Sequence, residues 1–261
     1  MSRASAVPDY PQLFEGEQAT RASILRAALE VFAQRGFEAA SLREITERAQ
    51  VNVAAIHYHF GTREALMQDV MRAVAGPLNR LRLADLDAAC AQGQPGLDEV
   101  VRALVSPPVM LSAAATGEPR LLMRLLIQAR ALPREATNSA IFEQYDAMAI
   151  RFVEALIAAT PGLSREDAFW SYAFAIGALM YIVSDADQAY HRLQRISGGL
   201  CDTDEPATIV RQLVAFITAG IRGRVAVAAA PPAGAVKVSR VAKAAGTVSP
   251  AAKTTVRPAR R

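Results

Sequence analysis

The stretch "SLREITERAQVNVAAIHYHFGTREAL", Ser41 to Leu66, decides the fold of this 261-residue chain. Ser41 and Glu44 have the spacing of a capping box, in which each side chain satisfies a backbone donor at a helix start. Asn52 is a suitable N-cap for a second helix, which the following residues extend to about His59. The sequence therefore predicts two short helices joined by a three-residue turn.

The segments on either side of these two helices predict longer helices. A first helix should run from Thr20 to Gly36, because apolar residues recur at helical spacing and glycine commonly ends a helix. Thr62 can cap a fourth helix that reaches about Ala89, with a kink or an end expected at the Gly-Pro pair 76–77. Since the 3.6-residue period also dominates the remainder, we expect an all-α protein.

Two short helices covered by a preceding helix form a helix-turn-helix, here residues 20 to 66, whose second helix fits the major groove of DNA. In that helix Val53, Ile56 and Phe60 should face the core, which leaves small and hydrogen-bonding residues outside. Small side chains let the backbone approach base edges, while imidazole and phenol groups can donate to phosphates. The predicted DNA-contacting residues are Ser41, Arg43, Asn52, Ala54, Ala55, His57, Tyr58, His59 and Arg63.

The pentapeptide "IHYHF", residues 56 to 60, has two other interpretations: a metal site, or helix residues that are simply packed or solvated. A metal site is disfavoured because a two-residue spacing turns His57 and His59 roughly 200° apart on a helix, and no third ligand is nearby. Catalysis is disfavoured as well, since the chain has no nucleophile elbow, phosphate loop or dinucleotide fingerprint. We therefore expect a protein that is not an enzyme and that needs no cofactor.

From Thr20 to Val70 the sequence resembles the N-terminal DNA-binding domain of the TetR family of transcriptional regulators. The resemblance rests on an aromatic residue in the first helix followed by "RGF", on the capping box, and on the run "VNVAAIHYHF". It implies that phosphates are contacted by Tyr58, His59 and Arg63, and base edges by Asn52, Ala54, Ala55 and His57.

Two positions depart from the usual pattern of that family. Gln50 occupies a turn position where the family usually has glycine, and a left-handed backbone there would cost about 1 kcal/mol. Arg63 stands where lysine is most common, and a guanidinium binds phosphate at least as well as an ammonium group. We expect DNA binding to survive both changes.

Residues 67 to 222 predict a helical domain for effector binding and dimerisation. Helices are expected near 97–112, 118–131, 135–159, 164–191 and 205–222, with Gly- and Pro-containing stretches between them. Helices this rich in Ala, Leu, Met and Phe can enclose an apolar cavity, although an ordinary packed core is the alternative for any single residue. The predicted cavity wall is Leu122, Leu126, Phe142, Tyr145, Met148, Phe152, Trp170, Phe174 and Met180, with Arg124, Gln128 or Arg151 at its mouth.

The resemblance also implies an assembly and a mechanism. In the TetR family the last two long helices of each subunit form a four-helix dimer interface, and a ligand moves the two DNA-reading units apart. We therefore expect a homodimeric repressor on a palindromic operator of double-stranded DNA, released by a small apolar effector. "LLMRLLIQA" near residue 121 and "AFWSYAFAIGA" near residue 168 look similar to regulators that respond to fatty acids or acyl-CoA. Control of an efflux or catabolic operon by a drug-like or aromatic molecule is the alternative.

Charge is distributed unevenly along the chain. Residues 223 to 261 hold eight Lys or Arg residues and no acid, so a total of +4 leaves −4 for residues 1 to 222. We predict a disordered basic tail there, which either adds salt-sensitive attraction to DNA or serves as a solvated tail, and a flexible arm at residues 1 to 19. Two cysteines, no apolar leader and no uncharged 18-residue apolar run favour a cytoplasmic protein that does not cross a membrane.

Overall fold

The structure, a computed structural model, describes residue 14 and residues 16–113, 118–131, 135–185 and 191–229. These residues form ten helices and no strand, which confirms the predicted all-α fold. The helices are α1 (Ala19–Ala39), α2 (Leu42–Ala49), α3 (Val53–Phe60), α4 (Arg63–Cys90), α5 (Leu97–Ser112), α6 (Glu118–Ala131), α7 (Glu135–Ala159), α8 (Arg165–Asp185), α9 (Arg192–Ile196) and α10 (Pro206–Ala229).

Helices α1, α2 and α3 pack together with the first turns of α4, and we call this group the N-terminal unit. Apolar residues at helical spacing along α1, including Ile24, Leu29 and Phe32, are completely buried in it. Ile45 of α2 and Ile56 of α3 complete the same core. Because isolated helices of eight residues are not stable in water, packing on α1 and α4 is what holds α2 and α3.

The three predicted helix caps are formed. Ser41 Oγ accepts a hydrogen bond from the N–H of Glu44 at 3.1 Å. Asn52 Oδ1 and Thr62 Oγ1 each accept from the N–H three residues later, at 2.9 and 3.0 Å. The reciprocal half of the capping box differs from the prediction, since the Glu44 carboxylate lies 3.4 Å from Nε of Arg35. Each helix of the pair therefore begins where its sequence signal places it.

The turn between α2 and α3 has the left-handed geometry that its sequence makes costly. Gln50 adopts φ 56° and ψ 42°, a region that glycine enters without strain. Its N–H bonds to Glu47 O at 3.4 Å, and the N–H of Val51 bonds to Thr46 O at 3.1 Å, which is the Schellman pattern. The turn geometry thus takes precedence over the local preference of glutamine.

Helix α4 connects the N-terminal unit to the rest of the protein without an interruption. It contains Pro77, where the sequence predicted a kink or an end, but the helix runs through this position and is 28 residues long in total. Pro77 is itself buried and lacks an N–H, so only one backbone bond is lost. One continuous apolar core joins the N-terminal unit to helices α4 to α8 and α10, and within it α5 packs on α4, α7, α8 and α10.

Several element ends differ from the predictions. Phe14 is buried, so the arm predicted for residues 1 to 19 is anchored at that position, and α1 is broken at Gly36 as expected. Helix α8 is described as far as Asp185, whereas residues 186 to 190 of its predicted span lie outside the described part, and the short α9 was not predicted. Helix α10 continues to Ala229, seven residues into the predicted tail, because tertiary contacts hold its last turns, whereas residues 230 to 261 lie outside the described part.

Among the described helices, α8 has the length and apolar composition of a membrane span. A core helix of a water-soluble protein passes the same test, and α8 packs along α7 and α10. Large apolar side chains nevertheless remain exposed on its other side.

Candidate DNA interface and effector region

Helix α3 is amphipathic, with one side packed on the neighbouring helices and the other side exposed. Ile56 and Phe60 are buried against the N-terminal unit, as predicted. The outer face carries exposed Asn52, Ala54, His57 and Tyr58, with Ala55 and His59 half-buried beside them. Val53 was predicted to face the core and is exposed instead, at 43% of its surface. It occupies the first helical position, beyond the part of the helix that its neighbours cover, so it adds an apolar group to the outer face.

The His57 imidazole is oriented by its own helix end. Its Nδ1 lies 2.9 Å from the backbone oxygen of Gly61, and since a carbonyl can only accept, Nδ1 carries the proton. Nε2, on the opposite side of the ring, remains directed away from this bond. A ring fixed in this way can present Nε2 to a base edge or to a phosphate oxygen.

Tyr58 and His59 form an aromatic pair on the outer side of α3. Their rings meet edge to face at 5.0 Å between centroids, and Tyr58 is 83% exposed. His59 also contacts the buried Phe60 ring, at 6.2 Å. His57 and His59 thus have different neighbours, and the described residues contain no group of three metal-ligating side chains.

Arg21 of α1 attaches α3 to its support, and sequence reasoning did not identify it. Its guanidinium bonds to Asp69 of α4 at 2.6 Å, to Glu17 at 2.8 Å and to the backbone oxygen of His59 at 3.2 Å. The same group lies 4.5 Å from the centroid of the Phe60 ring. One side chain therefore fixes the C-terminal end of α3 relative to α1 and α4. An isolated arginine in a helix gives no sequence signal for such a role.

The remaining predicted DNA-contacting residues are Ser41, Arg43 and Arg63. Ser41 is exposed at the start of α2, and Arg43 is exposed and paired with Glu47 at 2.8 Å. Arg63 is half-buried, and its amino group donates to the backbone oxygens of Phe37 and Ala40, the latter at 3.1 Å. In this structure Arg63 therefore secures the end of α1, where a phosphate contact alone was expected.

The predicted cavity wall divides into three groups. Leu126, Met148 and Phe152 are buried, and Tyr145 and Met180 are half-buried beside them. Leu122 and Phe142 lie in α6 and α7, but their side chains are outside the described part of the chain.

Trp170 and Phe174 do not line the interior, which corrects the prediction. They are 52% and 58% exposed on α8, where their rings stack at 5.6 Å between centroids. They project from the side of the helix opposite its buried residues Ala168, Ser171 and Ala175. Because α8 is apolar on nearly all sides, its sequence did not show which face points inward.

The residues predicted at the cavity mouth have other partners or lie exposed. Gln128 Nε2 donates to the backbone oxygen of Ala33 at 3.0 Å, which joins α6 to α1. Arg151 pairs with Asp87 at 2.6 Å on the surface, and Arg124 is exposed. The Gln128 bond therefore joins the N-terminal unit to the predicted effector-binding domain, residues 67 to 222, which we call the effector region.

Helices α8 and α10 present an exposed apolar face. It consists of Trp170, Phe174 and Tyr181 of α8 and Phe216 of α10, which is 73% exposed. A shallow cleft of about 300 Å³ lies between Phe174 and Phe216, and Arg224 lies over the Phe174 ring at 5.3 Å. Exposed aromatic groups this closely spaced are typical of an interaction surface.

Comparison with known proteins gives matches to both halves of the chain. The model of bacterial regulatory proteins of the tetR family matches residues 24–70, and the model of the tetracyclin repressor-like C-terminal domain matches residues 102–220. An HTH-type transcriptional repressor of Mycobacterium tuberculosis is 39% identical over 73 residues, which cover 28% of this chain and 39% of that protein. The regulator UidR of Escherichia coli is 27% identical over 121 residues, or 46% of this chain and 56% of UidR.

The chain thus spans between two fifths and just over half of the length of these curated relatives. A solved structure, the fatty acid degradation regulator FadR of Bacillus halodurans, superposes with a TM-score of 0.57 at 16% identity, covering 77% of this chain and 98% of FadR. Likeness at that identity shows a shared fold alone. With a capped α3 that exposes its polar side and both family domains matched, the chain belongs to the TetR family of transcriptional regulators.

Proposed function

We propose that this protein is a cytoplasmic repressor that binds a palindromic operator as a homodimer and is released by a small apolar effector. The observation that carries the proposal is the open outer face of α3. The helix packs mainly on α2 and α4, so its exposed side is free to enter a major groove.

The exposed groups of α3 suggest a division of labour on DNA. Val53 and Ala54, near the helix start, offer apolar contact to a thymine methyl group, and Asn52 keeps its amide group available beside its cap bond. The Tyr58 hydroxyl and the His59 ring lie further along the helix, where they would donate to phosphate oxygens and fix the register.

Operator selection from random DNA, followed by gel-shift titration, tests this assignment. We expect wild-type protein to select a palindrome, and Tyr58→Phe to weaken binding to every sequence about fivefold, the equivalent of one net hydrogen bond. Ala54→Ser should instead change which sequence is preferred. Tyr181→Phe, an exposed tyrosine on α8, is the matched control and should bind like wild type. Failure of the wild-type protein to select any sequence would contradict the proposed function.

The homodimer is proposed from the exposed apolar face of α8 and α10. A second copy related by a twofold axis would bring Phe174 and Phe216 against their equivalents and cover the cleft between them. Sedimentation analysis of Phe174→Glu and Phe216→Glu should give monomers, because each change places a charge in the seam. Tyr58→Glu, which alters an even more exposed aromatic group on α3, should remain dimeric. A wild-type protein that is monomeric at micromolar concentration would rule out this assembly.

The effector is proposed to be apolar because the interior side chains predicted to meet it are apolar. Leu126 of α6 and Met148 and Phe152 of α7 are all buried. A fatty acid or acyl-CoA is the first candidate, and a drug-like or aromatic molecule is the second. A thermal-shift screen with both classes separates them, since a ligand at 100 times its Kd stabilises the folded state by about 2.7 kcal/mol. Release of DNA requires the effector to bind one conformation more tightly than the other, and a difference of about 1 to 3 kcal/mol is typical of such coupling.

A further inference from the structure

Arg82, in the middle of α4, is a guanidinium enclosed by the effector region. Only 4% of its surface is exposed, and this burial lowers the pKa of the group. Leu104 of α5 is hydrogen-bonded to it, and Tyr145 of α7 and Tyr172 of α8 lie close enough to influence its charge. Arginine is rarely buried to this extent unless a partner neutralises its charge.

One function of Arg82 is structural. Its Nε donates to the backbone oxygen of Leu104 at 2.9 Å. In an α-helix that oxygen would accept from the N–H of residue 108, which is Pro108 and has none. Arg82 therefore satisfies a carbonyl that the proline leaves open. This bond uses one of five N–H groups, and a neutral donor would satisfy the carbonyl equally well, so it does not account for the buried charge.

The charge of Arg82 has no counterion in the described part of the chain. No carboxylate there pairs with it, whereas Arg72 on the same helix pairs with Asp69. Its titratable neighbours, Tyr145 and Tyr172, carry phenol groups that are ordinarily neutral at pH 7. A buried cation without a counterion is unfavourable, and an anion that enters the site would remove the penalty.

We propose that Arg82, with Tyr145 and Tyr172, forms the anion-binding end of the effector site, and that the effector is an apolar molecule bearing a carboxylate. The guanidinium fork matches a carboxylate in two parallel hydrogen bonds, and phenol O–H groups add further donors. Tyr145, Met148 and Phe152 are spaced by three and four residues on α7, so they share one face that extends from Arg82 along buried apolar side chains. The inference rests on the proposed effector-controlled function and assigns the effector's chemistry.

Matched pairs of compounds test this inference on the full-length dimer by titration calorimetry. The probes are decanoate against decan-1-ol, and 4-phenylbutyrate against 4-phenylbutan-1-ol. Wild-type protein should bind at least one carboxylate about tenfold or more tightly than its alcohol, because a charge-assisted bidentate contact replaces a neutral one. Arg82→Gln should abolish that preference and leave alcohol binding unchanged. Arg151→Gln, which breaks the exposed pair with Asp87, should retain the preference.

Tyr145→Phe and Tyr172→Phe should each weaken carboxylate binding and leave alcohol binding as it is. If Arg82→Gln does not fold, as judged by circular dichroism, the wild-type comparison decides. Equal affinity for acid and alcohol in both pairs, or no binding of either carboxylate, overturns the inference. Operator binding by ligand-free wild-type protein is measured in parallel. Failure to bind DNA counts against the proposed function, whereas a wild type that binds DNA but shows no preference for carboxylates counts against the role of Arg82 alone.

Discussion

Replacing Arg21 with methionine removes the charge that joins α1 to α3 and α4 and keeps a side chain of similar length. Arg21 is 25% exposed and its partner Asp69 only 17%, so water screens their 2.6 Å contact weakly. The substitution also removes the bond to the backbone oxygen of His59 and the contact with the Phe60 ring. Loosening of α3 and loss of stability should therefore occur together.

The expected loss follows from these contacts. A hydrogen bond between charged groups contributes about 1.5–3 kcal/mol, and a cation–π contact about 0.5–1 kcal/mol. These contributions share one side chain and are not additive, and Asp69 retains Arg72 as a second partner. We therefore expect Arg21→Met to lower the free energy of unfolding by about 2–3 kcal/mol.

Urea unfolding of the wild type and four variants measures this value. Arg43→Met is the matched control, because its pair with Glu47 in α2 is far more exposed and solvent screens it strongly. Asp69→Asn and the double variant with Arg21→Met complete a cycle that isolates the Arg21–Asp69 coupling. A loss from Arg21→Met no larger than that from Arg43→Met would refute the assignment of Arg21 as the tie between α1, α3 and α4.

Three further predictions follow from described contacts. Gln50→Gly should raise the free energy of unfolding by about 0.5–1 kcal/mol, because glycine enters the left-handed region freely; an unchanged urea midpoint would contradict this. Asn52→Ala should lower the free energy of unfolding by about 1 kcal/mol through loss of the α3 cap and should weaken DNA binding. Gln92→Ala, in the exposed turn between α4 and α5, is the control and should leave both unchanged. The Ser164 hydroxyl and Arg224 hold the pKa of Asp167 below its ordinary value, so their stabilising contribution is present above about pH 3.9 and is lost as pH falls through the folded-state pKa. Carbon-13 NMR titration of this carboxyl should show its pKa rising when Arg224 becomes glutamine, and an unchanged value would show that the pair has no effect.

Local signals were sufficient to predict the N-terminal unit. Ser41, Asn52 and Thr62 each place an acceptor three residues before a helical N–H, and caps of this kind act within a single turn. Ile56 and Phe60, four residues apart, then define the buried side of α3. These interactions involve neighbours in sequence, so the sequence alone was enough to predict them.

The effector region was harder to predict because its decisive contacts are distant in sequence. Trp170 and Phe174 were placed in the interior, since α8 is apolar on nearly all sides and only packing on α7 and α10 selects the inward face. Arg82 was missed because its partner carbonyl lies on another helix and is left open by a proline there. Helix α10 extends past its predicted end, because Arg224 bonds to Asp167 of α8 at 2.8 Å.

The continuity of α4 has a mechanical consequence. Arg82 lies 19 residues after Arg63, so at 1.5 Å per residue about 28 Å of uninterrupted helix separate it from the reading end. A tilt of about 10° at the inner end of such a lever would displace the outer end by about 5 Å, close to the 5.4 Å pitch of one helical turn. In a symmetric dimer, a tilt of both α4 helices would change the distance between the two α3 helices without unfolding any helix. Spin labels on both α3 helices would measure that change.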